Sequence, residues 1–371
     1  MQSIEQRIDS LLTLSPYGLT PEEKGPKLLE LLRDELDYAA ARHAGFGNYI
    51  RCWPCHPRVA SRVEQLPFLP VGIFKADPPL SLVEPQDVKR TLASSATTGQ
   101  VPSKVVVDSP TARRMTKGVV AILQDFIGPA RRPYLVVDAP ATAANAHELG
   151  ARGAAIQGLQ PFANQVTYCL RLDDRRELEL DLDSLTKFAQ VHRGSAVLVY
   201  GFTYILWNHL VKPLTAQGLC LDLPNVHILH SGGWKRLQAQ AVDKGTFNRG
   251  LAAVFGCAVE RVIDFYGLVE NVGIIYPDCP AGNKHAPVFG EVVIRDPLTL
   301  APVAEGGIGI IQVCSVLPTS FPGYSLLTED LAQVIRFDGC PCGRRGICFR
   351  FAGRVPKAET RGCGNVQAQR Q

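Results

Sequence analysis

Leu92–Lys104 reads LASSATTGQVPSK. Ser94, Ser95, Thr97 and Thr98 precede Gly99, and Ser103 and Lys104 follow it. Hydroxyls, small residues that let the backbone come close, and one ammonium are the parts of a phosphate-cradling loop. Successive backbone N–H groups form an anion nest, while the hydroxyls and the lysine add charge-assisted bonds. The G-x-x-x-x-G-K-[ST] pattern is absent, so this is not a P-loop. Val105-Val106-Val107-Asp108 follows as a buried strand, which makes this a loop leading into a strand and not into a helix. An ordinary Ser/Thr-rich surface loop has the same local composition and stays open on these residues alone.

Downstream, Thr111–Ile127 is expected to be helical and Tyr134–Asp138 a strand, while Ala141–Gln160 fits either state. Val166–Leu172 and Glu177–Leu182 alternate as strands do. Then come a strand at Ala196–Tyr200, a helix at Thr203–Leu214, a strand at Val226–His230, mostly helix over Lys235–Phe255, and a strand at Arg261–Phe265. Such alternation predicts a parallel sheet with helices on its faces. Beyond Gly273 short strands take over: Gly290–Arg295, Gly309–Val313, Ala332–Phe337 and Ile347–Phe351, a smaller antiparallel region. Upstream, Ile4–Leu14 is a short amphipathic helix. Thr20 caps a second helix that opens with Pro21, Glu22 and Glu23 and turns Leu28, Leu29, Leu32, Leu36 and Ala40 to one face. Pro67–Pro85 reads as irregular. The fold class is α/β.

The chain has 371 residues, 46% hydrophobic and 20% charged, ample for a large core. A net charge of +4 is too mild to imply nucleic acid. The N-terminus has acidic residues and no apolar run of the signal-peptide kind. Ser195–Val211, the longest apolar stretch, contains Gly201, Asn208 and His209 and reads as a strand running into a helix, not a membrane span. Eleven cysteines without an export signal point to reduced thiols or a metal. The expectation is a cytoplasmic protein without membrane or nucleic-acid partners.

Val226–Lys235 reads VHILHSGGWK. Ser231, Gly232 and Gly233 stand just past an expected parallel strand, where open α/β sheets bind ligands; a tight turn before a helix explains the same residues equally well. Phe265–Asn271 reads FYGLVEN and offers an aromatic face (Tyr266), a close-approach glycine (Gly267) and a carboxylate (Glu270) able to hold Mg²⁺ against phosphates. Cys279, His285, Cys340 and Cys342 form a candidate Cys₃His zinc site, with Cys348 as a substitute ligand; buried free thiols are the alternative. Cys52-Trp53-Pro54-Cys55-His56 reads as a packed loop, since no second Cys pair lies nearby. Cys363, between Gly362 and Gly364 and near Arg361, has the context of an accessible thiolate, or of a tail cysteine without a role.

SSATTGQ at Ser94, FYGLVEN, SLLTED at Ser325–Asp330, and Gly353-Arg354 occur in the order of four motifs of the adenylate-forming superfamily, which this chain resembles. Departures are Ala96 for glycine, Pro102-Ser103-Lys104 for Pro-Lys, Val269 for threonine and Glu329 for glycine. Within the superfamily the chain is most similar to the acyl-protein synthetase family of bacterial luminescence, through SSATTGQ, HSGGWK, YGLVEN followed by Cys279 and His285, LLTED, CPCGRRG and GRVPKAETRGCGN. An adenylating protein of phenazine-antibiotic synthesis is a similarly short relative in type.

The resemblance implies the large domain of these enzymes over residues 1–353 and a hinge with a short tail over 354–371. The usual mobile C-terminal domain with its catalytic lysine would then be missing, since the chain ends within twenty residues of Arg354. It implies ATP and Mg²⁺ as cofactors. It implies a nucleotide site from Ser94, Ser95, Thr97, Thr98, Gly99, Ser231, Gly232, Gly233, Tyr266, Gly267, Glu270, Asp330 and Arg354, with Asp330 taking the ribose hydroxyls. Thr98 and Glu270 are the expected catalytic groups of the loop and metal side. Lys104, Lys235 or Lys357 would offset charge on the acyl phosphate, and Cys363 would receive the acyl group. The substrate would be a carboxylic acid, fatty or aromatic, lodged near Phe202, Tyr204, Trp207 and Trp234. The acceptor would be a thiol, an amine or an acyl-acceptor protein. A non-catalytic binder of an acid or acyl-adenylate in antibiotic biosynthesis is the other reading.

Overall fold

The computed structural model describes residues 3–94, 101–144, 148–234 and 240–355. Apolar runs bounded by turns become the centre of a six-stranded sheet. Its order is Tyr276–Pro277, Val262–Tyr266, Val226–Ser231, Val197–Phe202, Arg132–Val136, Ala163–Tyr168. All pairings are parallel except the first. Every residue of Val197–Phe202 is buried, as a strand covered on both faces requires. A second six-stranded sheet runs Lys284–His285, Cys348–Arg354, Ser325–Arg336, Ile308–Ser315, Gly290–Arg295 in antiparallel order. Leu69–Pro70 adds to it in parallel, Leu69 against Leu326 and Pro70 against Leu327. The expected parallel and antiparallel regions are both present.

A three-stranded sheet carries the opening stretch. Val88–Ala93 pairs antiparallel with Lys104–Asp108 and parallel with Glu148–Gly150. Val88–Ala93 was not anticipated; its sequence VKRTLA is half-exposed and carries charges, so it lacks an apolar signature. Of the helix expected over Lys235–Phe255, residues 235–239 lie outside the described residues, and the helix that ends at Phe255 begins at Lys244, where the Asp243 side chain accepts the Thr246 N–H and caps it. The helix expected over Thr203–Leu214 is interrupted by a π-helical turn at Leu206–Val211. The stretch Ala141–Gln160 contains both a strand and a helix, Ala151–Gly158.

The helix Ser109–Ile127, capped by the Asp108 carboxylate on the Thr111 N–H at 2.8 Å, serves both sheets. Ala112 and Ile122 lie in the core under the antiparallel sheet, Leu123 and Ile127 in that under the parallel one. The helix also presses on the turn after FYGLVEN: a Cβ on Gly118 would stand 2.5 Å from the Gly273 carbonyl oxygen. Among the described residues no helix is long and apolar enough to cross a membrane.

Candidate active site

Two of the motifs meet through backbone pairing. Tyr266 ends a parallel strand, and Asp330 lies in the middle of Ser325–Arg336, opposite Arg354. The Tyr266 hydroxyl donates to Asp330 Oδ2 at 2.9 Å, and Arg354 Nε donates to Oδ1 at 3.0 Å. The Thr328 hydroxyl accepts the Asp330 N–H at 3.1 Å and fixes the local turn of the strand. A carboxylate has lone pairs for further donors, so the group held in this way can still accept two hydroxyls. The Tyr266 ring stacks on Tyr276 and on Phe351, centroids 5.8 Å and 5.5 Å away. Phe351 is exposed, so the aromatic surface beside Asp330 includes a ring that the motifs do not name. Burial, with Asp330 next to it, holds the Tyr266 phenol well above its ordinary pKa.

The loop that opened the sequence is the connection of the Val88–Ala93 and Lys104–Asp108 hairpin. Its two ends are clasped: Ser94 N donates to Ser103 O, and Ser103 N to Ser94 Oγ, both at 2.9 Å. Ser103 also hydrogen-bonds Glu270. Glu270 is buried, which raises its pKa; the Ser103 bond, its own backbone and the charge of Lys75 pull the other way. The strand geometry therefore joins the base of the loop, Glu270 and Asp330 in one place. Ser95, Thr97, Thr98, Gly99, Lys235 and Cys363 lie outside the described residues, as do Lys357 and Arg361. Lys104 is the first residue of its strand, paired with Ala93.

The glycine turn shows what the local reading left open. Ser231 is the last residue of its strand, and its hydroxyl lies 3.0 Å from that of Tyr200. Gly232 has φ +80°, a backbone region that favours glycine, and Phe202 would meet a Cβ there at 3.2 Å. His230 Nδ1 lies 3.0 Å from the Thr203 hydroxyl, and burial lowers its pKa to about 4. Gly267, by contrast, has only ordinary contacts at its Cβ position. The four proposed pocket residues fall at the same strand ends. Phe202 stands 6.4 Å from Tyr204, and Trp207 stands 6.3 Å from Trp234, with Phe247 joining the two tryptophans. Phe247, on the helix Lys244–Phe255, was not among the pocket residues named from the sequence.

Cys279, His285, Cys340 and Cys342 converge, their ligand atoms all within 4.8 Å of one another. Cys279 Sγ lies 3.9 Å from Cys340 Sγ, and Cys342 Sγ 3.4 Å from His285 Nε2. Cys348 is buried against the same group. Burial pushes Cys279 up to about 12 and His285 down to about 4. Cys340, which burial alone would raise, is lowered by hydrogen bonds from the Cys342 backbone, Asn283 and the neighbouring thiols. Three thiols and an imidazole at this spacing fit tetrahedral zinc. Cys52-Trp53-Pro54-Cys55-His56 packs through Trp53, edge-on to Phe68 at 4.9 Å.

Among solved structures, an open conformation of 2-hydroxyisobutyryl-CoA ligase, in complex with 2-HIB-AMP and CoA, matches with a TM-score of 0.68. The match covers 92% of this chain and 77% of that one, at 15% identity. The same ligase in its thioesterification state gives 0.68 over 92% and 70%, at 16% identity. The fold is thus that of the large domain of adenylate-forming enzymes.

Matching over residues 2–371 the model described as "Acyl-protein synthetase, LuxE", the chain belongs to that family and is an enzyme of the ligase class. It is 25% identical over 317 residues to the long-chain-fatty-acid–luciferin-component ligase of Vibrio harveyi, covering 84% of this chain and 79% of that protein. The protein of the same description from Aliivibrio fischeri is 28% identical over 139 residues, 37% of this chain and 36% of that one.

Proposed function

We propose that the protein joins a long-chain fatty acid to AMP and passes the acyl group to a thiol or amine. The observation that carries this reading is the meeting of the clasped loop base, Glu270 and Asp330 in a fold of adenylate-forming type. Asp330, oriented by Tyr266 and Arg354, receives the ribose hydroxyls. The 95–100 segment, held at its base by Ser94 and Ser103, cradles phosphates. Glu270 is the carboxylate we assign to Mg²⁺, which would screen the phosphate charge. The carboxylate oxygen of the fatty acid attacks the α-phosphorus. One P–O bond forms, and the bond to pyrophosphate breaks as pyrophosphate departs with the electron pair.

In the second step a thiolate attacks the acyl carbonyl; a C–S bond forms and AMP leaves. We assign this thiolate to Cys363, as the family resemblance suggests, with an external acceptor protein or amine downstream. Zinc is proposed at Cys279, His285, Cys340 and Cys342. It would supply a structural cross-link between the loops and strands that carry these residues.

Carboxylate-dependent exchange of labelled pyrophosphate into ATP tests the first step. We expect exchange with tetradecanoate and little with benzoate; no exchange with either acid overturns the reading. Mass spectrometry after incubation with ATP, Mg²⁺ and tetradecanoate tests the second step. One hydroxylamine-labile acyl mass is expected on the peptide holding Cys363, absent in Cys363→Ser, which keeps exchange.

A further inference from the structure

The lysines singled out in the sequence leave out the one that the fold brings to the carboxylates. Lys75 ends the short 3-10 helix Val71–Lys75. That helix follows directly on Leu69–Pro70, which pairs with Leu326 and Leu327, the residues just ahead of Thr328-Glu329-Asp330. Phe74, fully buried and edge-on to Phe321 at 5.7 Å, anchors the helix. Lys75 is therefore delivered to the rim of the nucleotide site by strand pairing and a core contact, neither of which depends on the lysine itself.

At that rim its Nζ lies 4.0 Å from Glu329 Oε1, and the two side chains are 41% and 52% exposed. A pair this long and this wet contributes little. The ammonium is free to leave it at small cost. Its charge also reaches Glu270, where it favours the ionised carboxylate. Glu270 and Asp330 interact with each other as like charges, and Arg354 is already bonded to Asp330. A polyphosphate approaching Glu270, Glu329 and Asp330 meets three carboxylates, and an ammonium beside them can offset part of that charge in addition to Mg²⁺.

We infer that Lys75 is a catalytic lysine of this ligase, exchanging Glu329 for the phosphate oxygens of ATP as the acyl phosphate forms. The inference rests on the proposed ATP site. As the P–O bond to pyrophosphate breaks, charge grows on the departing oxygen and on the equatorial oxygens of the α-phosphorus. A compact ammonium on a flexible stem can follow that charge.

The test compares Lys75→Met, Lys75→Arg, Glu329→Gln and, as a control on another face, Lys117→Met, in the full-length protein. Thermal unfolding checks that each variant folds. Calorimetry with ATP and Mg²⁺ measures binding, and pyrophosphate exchange with tetradecanoate measures turnover. Lys75→Met should weaken ATP binding or slow exchange by about tenfold or more, the worth of one charge-assisted hydrogen bond. Lys75→Arg should recover part of the loss, and Lys117→Met should match wild type. Glu329→Gln should act in the opposite direction, since it releases the lysine. If wild type binds ATP and Lys75→Met equals it in both assays, the inference is wrong while the ATP site stands. If Lys75→Met and Glu329→Gln lose the same small stability and nothing else, the pair is only a surface ion pair. If wild type itself binds no ATP, the site reading falls and takes this inference with it.

Discussion

Asp330 and Glu35 are both buried carboxylates, and their surroundings make them opposites. Asp330 has two donors and room for more, the arrangement of an oriented acceptor. Asp330→Ala should therefore weaken ATP binding by about tenfold or more while leaving the melting temperature nearly unchanged. Calorimetry and a thermal scan check the two halves. Glu35 is fully buried on the long N-terminal helix, and neither oxygen has a hydrogen-bond partner among the described residues. Burial raises its pKa well above the carboxylate range, although Arg114 opposes this. The folded state thus keeps a proton that the unfolded chain releases near pH 4.3, roughly. Its contribution to stability is complete below that pH and is lost as pH rises through the folded-state value. Glu35→Gln should remove this loss, so its stability relative to wild type should increase with pH in denaturant titrations. A constant difference between the two proteins would refute the assignment. The role of Asp330 was legible from its motif, but Tyr266 as its donor was not, and Glu35 reads as one more acid on a helix.

Among the elements, the strands of the parallel sheet were legible because burial on both faces demands unbroken apolar runs, as in Val197–Phe202 and Val226–Ser231. Val88–Ala93 was illegible because a hairpin strand with an open face can carry Lys89 and Arg90. Its absence from the reading hid the hairpin that frames the 95–100 connection. The late start of the Lys244–Phe255 helix was legible in principle, from the Asp243-Lys244-Gly245-Thr246 cap, but the apolar pattern upstream outweighed it. Lys75 could not be found at all, since its place depends on a two-residue strand inside a proline-rich stretch. The Cys/His cluster was legible as spacing, and its convergence ties the 279–285 segment to Cys340 and Cys342. We expect one zinc per chain by elemental analysis of protein purified without added metal. Cys340→Ser should lose it, with a fall in the melting temperature. A metal-free protein as stable as the zinc-bound one would remove the site.

At the scale of the molecule, the helix Ser109–Ile127 joins two cores and bears on the turn that follows Glu270. Gly273 itself has φ +78°, and a Cβ there would stand 2.7 Å from Met115 Cα, so the contact is backbone against backbone. Leu317 Cδ1 also stands close to both positions, but the nearest atom in each case is backbone and cannot swing away. Gly118→Ala should cost about 1–3 kcal/mol of stability by overpacking. Because the strain falls on the turn carrying Glu270, exchange activity should drop even at temperatures where the variant is fully folded. A Gly118→Ala protein with wild-type exchange would show that the turn adjusts independently of the helix.

The clasp of Tyr266 and Arg354 on Asp330 bears on the thermodynamics of nucleotide capture. A free aspartate must give up its side-chain rotation when a ligand arrives, and the loss is subtracted from affinity. Here that rotational freedom has already been surrendered during folding, when strand pairing sets the arginine opposite the carboxylate and the packing of the two sheets brings the phenol to it. The entropy is charged to the stability of the fold, so the ribose of the proposed site would meet an acceptor whose orientation was decided before it came.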